Sequence, residues 1–277
     1  MLVTLAALAL TVLAPAFHYH QFGDPTRMAR DAGFSALFTC GSVIAVFCTI
    51  RSFRREVETG TMEMALAHPI SRPGFFLAKT FGAFCAYLAL AAIHLGTTAV
   101  MFHGAAVGGA VARQTGDIAR IFWPHLMASV AVAVVPLVVG AALNRFARCR
   151  VVLTAVLLAL ALATVGAAVV VYLAGGFALR LLPVAALLVL LSSVLLAAAA
   201  ALSVRLKANA ASAGTGVVAL LLVPAVGNYY LADALSGGGS LPWSYVAWAA
   251  GATLPAVAAF LLLGVHLING RDIQWTL

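Results

Sequence analysis

Eight long apolar stretches constrain this chain more than any other feature, because each is close to the length that crosses a lipid bilayer. A spanning helix needs about 20 apolar residues, since it rises roughly 1.5 Å per residue and the hydrocarbon core is about 30 Å thick. The sequence therefore predicts an all-α integral membrane protein, a polytopic bundle of six to eight transmembrane helices. The stretches lie near 1–17, 33–50, 76–102, 121–143, 151–173, 181–203, 212–231 and 245–268.

Composition excludes a soluble globular fold. Hydrophobic residues make up 64% of the chain and charged residues only 9%, far from the balance of soluble domains. The alternating pattern of transmembrane strands is absent, and runs of Leu, Ala and Val of this length favour helices. Within the predicted spans only Lys79 is charged, and it lies one turn inside a span end, where its stem can reach the interface.

The distribution of cations predicts the orientation in the membrane. With residue 1 on the cytoplasmic side, 11 of the 16 Lys and Arg residues fall inside and 5 fall outside. The positive-inside rule then makes the loop at 51–75 and both chain ends cytoplasmic. The basic residues that give the net charge of +8 flank the spans and form no basic patch with stacking aromatic residues. We therefore expect no nucleic acid partner. The five outer cations are Arg27, Arg30, Arg113, Arg120 and Arg180.

The first apolar stretch has two alternative interpretations. It ends in Ala14-Pro15-Ala16, as a cleavage site can, yet it lacks the basic n-region of a signal peptide. It is also short for a span, so a natural start further upstream is the other alternative. The remaining topology is the same in either case.

Residues 51–75 are the only predicted cytoplasmic loop long enough to fold on its own, within a chain that we interpret as a single membrane domain over 1–277. A helix continuing from the second span has Ile50, Phe53 and Val57 on one face. Its other face carries charges, among which Arg54 and Glu58 can pair at i, i+4. The charged face comprises Arg51, Arg54, Arg55 and Glu58.

A bend and a second short helix follow in the same loop. Gly60 supplies backbone angles that other residues avoid, and Thr59 or Thr61 can cap a helix over Met62–Ala67. Pro69 ends that helix, and Ser71-Arg72-Pro73 can cap and begin the third span. The apolar face of the short helix would hold Met62, Ala65 and Leu66. Such an element can transmit a push from a soluble partner, or it is simply a solvated interfacial loop.

The loop's residues resemble the signature of ABC type-2 exporter permeases, in the subgroup associated with multicopper enzyme maturation. The resemblance covers about residues 22–85, and beyond that only hydropathy agrees. It departs from the family pattern in starting without an elbow helix, in having Ala78 before Lys79, and in having more than six spans. The matching residues are Gly23-Asp24-Pro25, Asp31-Ala32-Gly33, Glu56-x-x-x-Gly60-Thr61, Leu66-x-x-Pro69-Ile70-Ser71-Arg72 and Lys79-Thr80-Phe81-Gly82.

The resemblance implies a transmembrane permease in the cytoplasmic membrane of a prokaryote, whose loop docks on a separate cytoplasmic ATPase. A second permease copy or paralogue would complete the transporter, and ATP and Mg²⁺ would bind the ATPase. Glu56, Glu58 and Arg72 would make polar docking contacts, while Met62 and Leu66 would fill a groove of the partner. The full set of implied coupling residues is Glu56, Glu58, Gly60, Thr61, Met62, Leu66, Pro69, Ser71, Arg72 and Lys79.

Chemistry that other functions need is missing from the sequence. No Gly-x-x-x-x-Gly-Lys-Ser/Thr loop occurs, so ATP hydrolysis requires another chain. No carboxylate lies in the middle of a predicted span, which disfavours a proton-driven carrier. His94 and His266 lie in spans without the neighbouring acid that metal-dependent or acid–base catalysis needs, so we expect no enzyme activity. We expect His94 to form a hydrogen bond to another helix.

Soft-metal ligands and thiols are interpreted as structural. His18, His20 and three methionines could meet a soft metal, but they are scattered, so we assign no metal site. The four cysteines are expected to be free thiols, because they lie in apolar stretches or a predicted turn. The three methionines are Met28, Met101 and Met127, and the four cysteines are Cys40, Cys48, Cys85 and Cys149.

Two other function classes remain open at this point. One is a channel or secondary carrier whose loop binds a regulator, and the other is a membrane scaffold that transports nothing. ATP dependence in proteoliposomes separates them from a permease. The sequence identifies neither a substrate nor its path.

Overall fold

The structure, a computed structural model, describes residues 25–66, 70–115, 119–147, 151–174, 179–226 and 241–270. Every regular element in these ranges is a helix. A π-helical turn, Leu37–Gly41, joins the first two. The α-helices are α1 (Pro25–Ala36), α2 (Ser42–Glu58), α3 (Thr61–Leu66), α4 (Arg72–Thr115), α5 (Ala119–Ala147), α6 (Val151–Ala174), α7 (Leu182–Arg205), α8 (Ala208–Val226) and α9 (Trp243–Asn269).

Within the described ranges, five helical segments are long and apolar enough to cross a membrane. They confirm the predicted all-α polytopic membrane fold. Two shorter apolar helices, Val130–Arg145 and Ala208–Leu222, correspond to the predicted fourth and seventh spans. The predicted first span near 1–17 lies outside the described residues. The five long segments are Ala29–Glu58, Arg72–Val107, Leu153–Ala174, Leu179–Arg205 and Trp243–Asn269.

Two predicted loops are partly helical. Helix α1 begins at Pro25, in the polar segment between the predicted first and second spans, because proline is well tolerated in a first turn. Helix α4 runs for 44 residues to Thr115 and takes in most of the segment between the predicted third and fourth spans. That segment is rich in Ala and Gly, so its hydropathy is lower than that of the span before it. It contains no proline, so the helix continues through it.

The chain divides into two compact units. The first takes its described residues from Met1–Gly41, Leu88–Ala186 and Asp233–Pro242, and the second from Ser42–Tyr87, Leu187–Ala232 and Trp243–Leu277. The interpretation of 1–277 as a single domain stays a prediction.

Close helix contacts at glycines organise the first unit. A Cβ atom on Gly33 would lie 2.5 Å from Thr98 Cγ2, and one on Gly96 would lie 2.6 Å from the carbonyl oxygen of Ala163. The missing side chains therefore let α4 approach both α1 and α6, as small residues do in membrane proteins. Helices α5 and α6 also pack against each other.

A network of three buried hydroxyls joins three helices of the second unit. Tyr87 Oη donates to Ser192 Oγ at 2.7 Å, and the Ser42 and Ser192 hydroxyls are 2.8 Å apart. All three side chains are almost fully buried, so the hydroxyls satisfy one another where no water is available. The network links α2, α4 and α7. Near it, Ile50, Ala199 and Ala211 form a small core that packs α2 against α8.

Candidate functional site

A sharp bend separates α2 from α3. Gly60 has a φ of 70°, in the left-handed region that is costly for residues with a Cβ atom. The Thr59 N–H donates to the Arg55 carbonyl at 2.9 Å to close the last turn of α2, and the Met64 N–H donates to the Gly60 carbonyl at 3.3 Å in α3. The predicted bend is confirmed, and the short helix, Thr61–Leu66, begins one residue earlier than expected. Ala67, the expected last residue, lies outside the described residues.

The two threonine hydroxyls beside Gly60 do not have the expected capping role. Thr59 Oγ1 donates to the Arg55 carbonyl at 2.7 Å, and Thr61 Oγ1 donates to the Glu56 carbonyl at 3.5 Å. Both therefore bond carbonyl groups at the end of α2 instead of N–H groups at the start of α3. Their own oxygens are 2.9 Å apart, so they hold the two helices in a fixed turn.

The packing of α3 corrects the roles expected for Met62 and Leu66. Met62 is only 6% exposed, and Leu66 packs against the same buried group. Met62 therefore fills the protein's own core and does not offer an apolar surface to a partner, whereas Leu66 is only partly buried. Met64 points the other way and is 64% exposed. The buried group, called the loop cluster below, consists of Phe53, Met62, Phe76, Ala200, Val204 and Ile268.

An ion pair fastens the end of α2 to the start of α4. Glu56 Oε1 contacts Lys79 Nζ, and the Lys79 side chain is only 13% exposed. The ammonium group also lies 5.1 Å from the centre of the Phe53 ring and 5.8 Å from that of Phe75, a favourable cation–π arrangement. Glu56 was expected to contact a partner, but its Oε1 is engaged within the chain. The neighbouring pair expected between Arg54 and Glu58 is present at 3.1 Å.

The start of α4 has the capping expected from its sequence. The Gly74 N–H donates to Ser71 Oγ at 3.2 Å, and the Phe75 N–H donates to the Ser71 carbonyl at 2.9 Å. Ser71 is thus the N-cap of a helix that has Pro73 in its first turn. Pro69, expected to end α3, lies outside the described residues.

Arg72 binds the end of the last helix. Its Nη1 donates to the Asn269 carbonyl at 3.2 Å. Arg205 donates to the same helix end, from Nε to the Leu267 carbonyl at 3.5 Å and from Nη2 to the Gly270 carbonyl. This role of Arg205 could not be predicted from local sequence patterns, because its partners lie more than 60 residues away in the chain. The described residues of the set implied for coupling all lie in the second unit.

An apolar groove of about 570 Å³ lies beside the loop cluster in the same unit. Its two hydroxyl groups are already engaged within their own helices. Thr80 Oγ1 donates to the Phe76 carbonyl at 2.9 Å, and Ser193 Oγ donates to the Leu190 carbonyl at 2.6 Å. None of the lining residues that the structure describes is charged. The substrate path stays unassigned.

His94 bonds within its own helix instead of reaching another one as expected. Its Nδ1 lies 3.0 Å from the Leu90 carbonyl, four residues earlier in α4. Among the described residues, no three His, Cys, Asp or Glu side chains approach closely enough to hold a metal ion. Cys40, Cys48 and Cys85 are free thiols. His18, His20 and Cys149 lie outside the residues that the structure describes.

Comparison with known families decides the protein's class. A family model described as "ABC-2 family transporter protein" matches residues 1–152, more than half of the 277 residues. The chain belongs to the ABC-2 transporter family. The matched part of this permease contains α2, the bend, α3 and the start of α4. The narrower subgroup suggested by the sequence stays a prediction. No curated protein and no solved structure matches the permease.

Proposed function

We propose that this chain is the permease subunit of an ATP-binding-cassette exporter, and that α3 is its docking helix for a separate cytoplasmic ATPase. Two permeases, either two copies or a copy and a paralogue, would work with two ATPase subunits. ATP and Mg²⁺ would bind the ATPases only. The observation that carries the proposal is the short helix Thr61–Leu66, set off by the Gly60 bend inside the residues that match the family.

The charges around α3 support a cytoplasmic location. The contacts of Glu56 with Lys79 and of Arg72 and Arg205 with the end of α9 bring together four helix ends, those of α2, α4, α7 and α9. These helix ends carry most of the cations of the second unit, as the positive-inside rule expects of a cytoplasmic surface. We accordingly place this loop, and both termini, in the cytoplasm of a prokaryotic cell. The cations are Arg51, Arg54, Arg55, Arg72, Lys79, Arg205 and Lys207.

Exposed side chains on α3 and at the neighbouring end of α2 give this region the character of a docking surface. Met64 is 64% exposed and Ile70, just beyond α3, is 50% exposed. The Glu58 side chain is 63% exposed and Arg55 is also exposed. A flexible thioether suits an irregular groove on a partner, and flanking charges favour orientation of the encounter.

The contacts suggest how docking drives transport. α3 is fixed to α2 by the threonine hydroxyls and the loop cluster, and α2 is fixed to α4 by the Glu56–Lys79 pair. A push on Met64 would therefore displace α2 and α4 together, because close-packed side chains transmit displacement. In this account ATP binding closes the two ATPase subunits against each other, and the separation of the two permeases changes in response.

A pair of substitutions at one position tests the docking role. Co-expressed with its ATPase, the Met64→Asp permease should retain less than a tenth of the bound ATPase, because central apolar anchors are worth about 2 kcal/mol or more. Met64→Leu is the matched control, since it keeps an apolar side chain of similar volume, and it should bind normally. Equal co-purification of the wild type and the Met64→Asp variant, with equal monomer yield, would exclude α3 as the docking helix.

A further inference from the structure

Two arginines from different helices hold the C-terminal end of α9. Arg72, at the start of α4, donates to the Asn269 carbonyl, and Arg205, at the end of α7, donates to the Leu267 and Gly270 carbonyls. The last carbonyl groups of a helix lack partners within the helix and attract cations. Gly270 lets the guanidinium approach, because a Cβ there would lie 3.0 Å from Arg205 Nη2.

Helix α9 also lies unusually close to the start of α4. A Cβ atom on Gly264 would lie 2.6 Å from Phe76 Cε1, a separation that real Cβ atoms do not tolerate. The Phe76 ring is completely buried and lies 5.6 Å from the Phe53 ring, measured between ring centres. Gly251, on the same helix, has open space around it, with no atom within 4 Å of the corresponding Cβ position.

The loop cluster connects this helix end to α3. Met62 on α3 and Ile268 on α9 belong to the same cluster of buried side chains, together with Val204 next to Arg205. Met62 is 6% exposed and Ile268 is 1% exposed. A displacement of α3 therefore reaches α9 through the packed side chains of the loop cluster, and α2 is not the only route.

We propose that α3 and the C-terminal end of α9, residues 264–270, open and move as one cooperative unit, with Arg72, Arg205 and Gly264 as its positioning residues. This proposal rests on the coupling role given to α3 above. It extends the coupling machinery to Arg205 and α9, which lie outside the 1–152 segment that matches the family. Nucleotide-driven motion would then reach α9 directly.

Amide hydrogen exchange in the isolated permease tests this unit. Regions that open together exchange together, so Arg205→Gln should raise the exchange rate by about tenfold, both at 265–270 and at 61–66, because bonds to charged groups are lost. Lys207→Gln is the matched control. It removes an exposed cation two residues away and should change neither peptide. The full-length protein is measured in nanodiscs of phosphatidylethanolamine and phosphatidylglycerol.

A steric series provides the second measurement. Gly264→Ala should raise exchange at 61–66, Gly251→Ala should not, and the double variant Gly264→Ala/Phe76→Leu should restore protection because the smaller side chain makes room. If exchange at 61–66 is unchanged in both Arg205→Gln and Gly264→Ala, the proposed unit does not exist. Because no ATPase is present, this result is independent of whether Met64 docks one. Failure of docking with a positive exchange result would refute the coupling role alone.

Discussion

The Glu56→Gln substitution tests whether an ion pair fastens the end of α2 to the start of α4. The pair is intermediate between buried and exposed, since Lys79 is 13% exposed and Glu56 is 36% exposed. Removing one partner of a fully buried pair costs about 3–5 kcal/mol, whereas exposed pairs contribute about 0–1 kcal/mol. The Phe53 ring still faces the ammonium group. We therefore expect Glu56→Gln to lower the free energy of unfolding by about 2 kcal/mol.

Lys79→Met and the double variant complete a double-mutant cycle, which separates the interaction between the two side chains from the other effects of each substitution. Lys79→Met keeps most of the length of the side chain and leaves a partly solvated carboxylate, so its cost should be about 1 kcal/mol. The double variant should cost less than the sum of the two by about 1–2 kcal/mol, because neither charge is then left unpaired. Glu56 Oε2 is buried without a hydrogen-bond partner among the described residues. Because this oxygen is not satisfied, we expect the cost of breaking the pair to stay below that of a fully buried pair.

Reversible unfolding in mixed detergent micelles gives these free energies. Glu58→Gln is the control on the same helix. It removes the exposed pair with Arg54 at 3.1 Å and should cost about 0.3–0.5 kcal/mol. If the Glu56→Gln and Lys79→Met effects add within about 0.5 kcal/mol, the two side chains are not coupled and the argument from their contact is wrong.

Three further substitutions test other elements of the fold. Gly60→Ala should cost about 1–2 kcal/mol because of its φ of 70°, and helicity at 61–66 should fall in exchange measurements. Tyr87→Phe removes the bond to Ser192 at 2.7 Å and should cost about 0.5–1.5 kcal/mol in unfolding experiments; no loss would show that the hydroxyl is unimportant. Gly96→Ala should cost about 1–3 kcal/mol by overpacking, while Gly216→Ala, which has open space, should be neutral or stabilising.

Local patterns predicted much of the coupling loop correctly. The Gly60 bend, the Ser71 cap and the Arg54–Glu58 pair each depend on residues within a few positions of one another. The direction in which α3 faces was wrong, because two methionines two residues apart, Met62 and Met64, differ only in what packs against them. A six-residue helix has too short a pattern to decide between its faces.

Long-range contacts could not be predicted from the sequence. Arg205 and Gly264 gave no local signal, since the first resembles any cation at a span end and the second any glycine in an Ala-rich helix. The end of α4 was also misplaced, because hydropathy reports contact with lipid and not where a helix stops. The membrane fold itself was predictable, since lipid leaves the backbone few alternatives to helices.

Photo-crosslinking at position 64 in living cells tests the central claim most directly. A benzophenone amino acid that replaces Met64 lies on the exposed face of α3 and should form an adduct with an ABC ATPase, identified by peptides of its nucleotide-binding loop. The same amino acid at Tyr172, which is 87% exposed on α6, should yield no such adduct. An adduct at 64 only with lipid or a second permease copy would contradict the account.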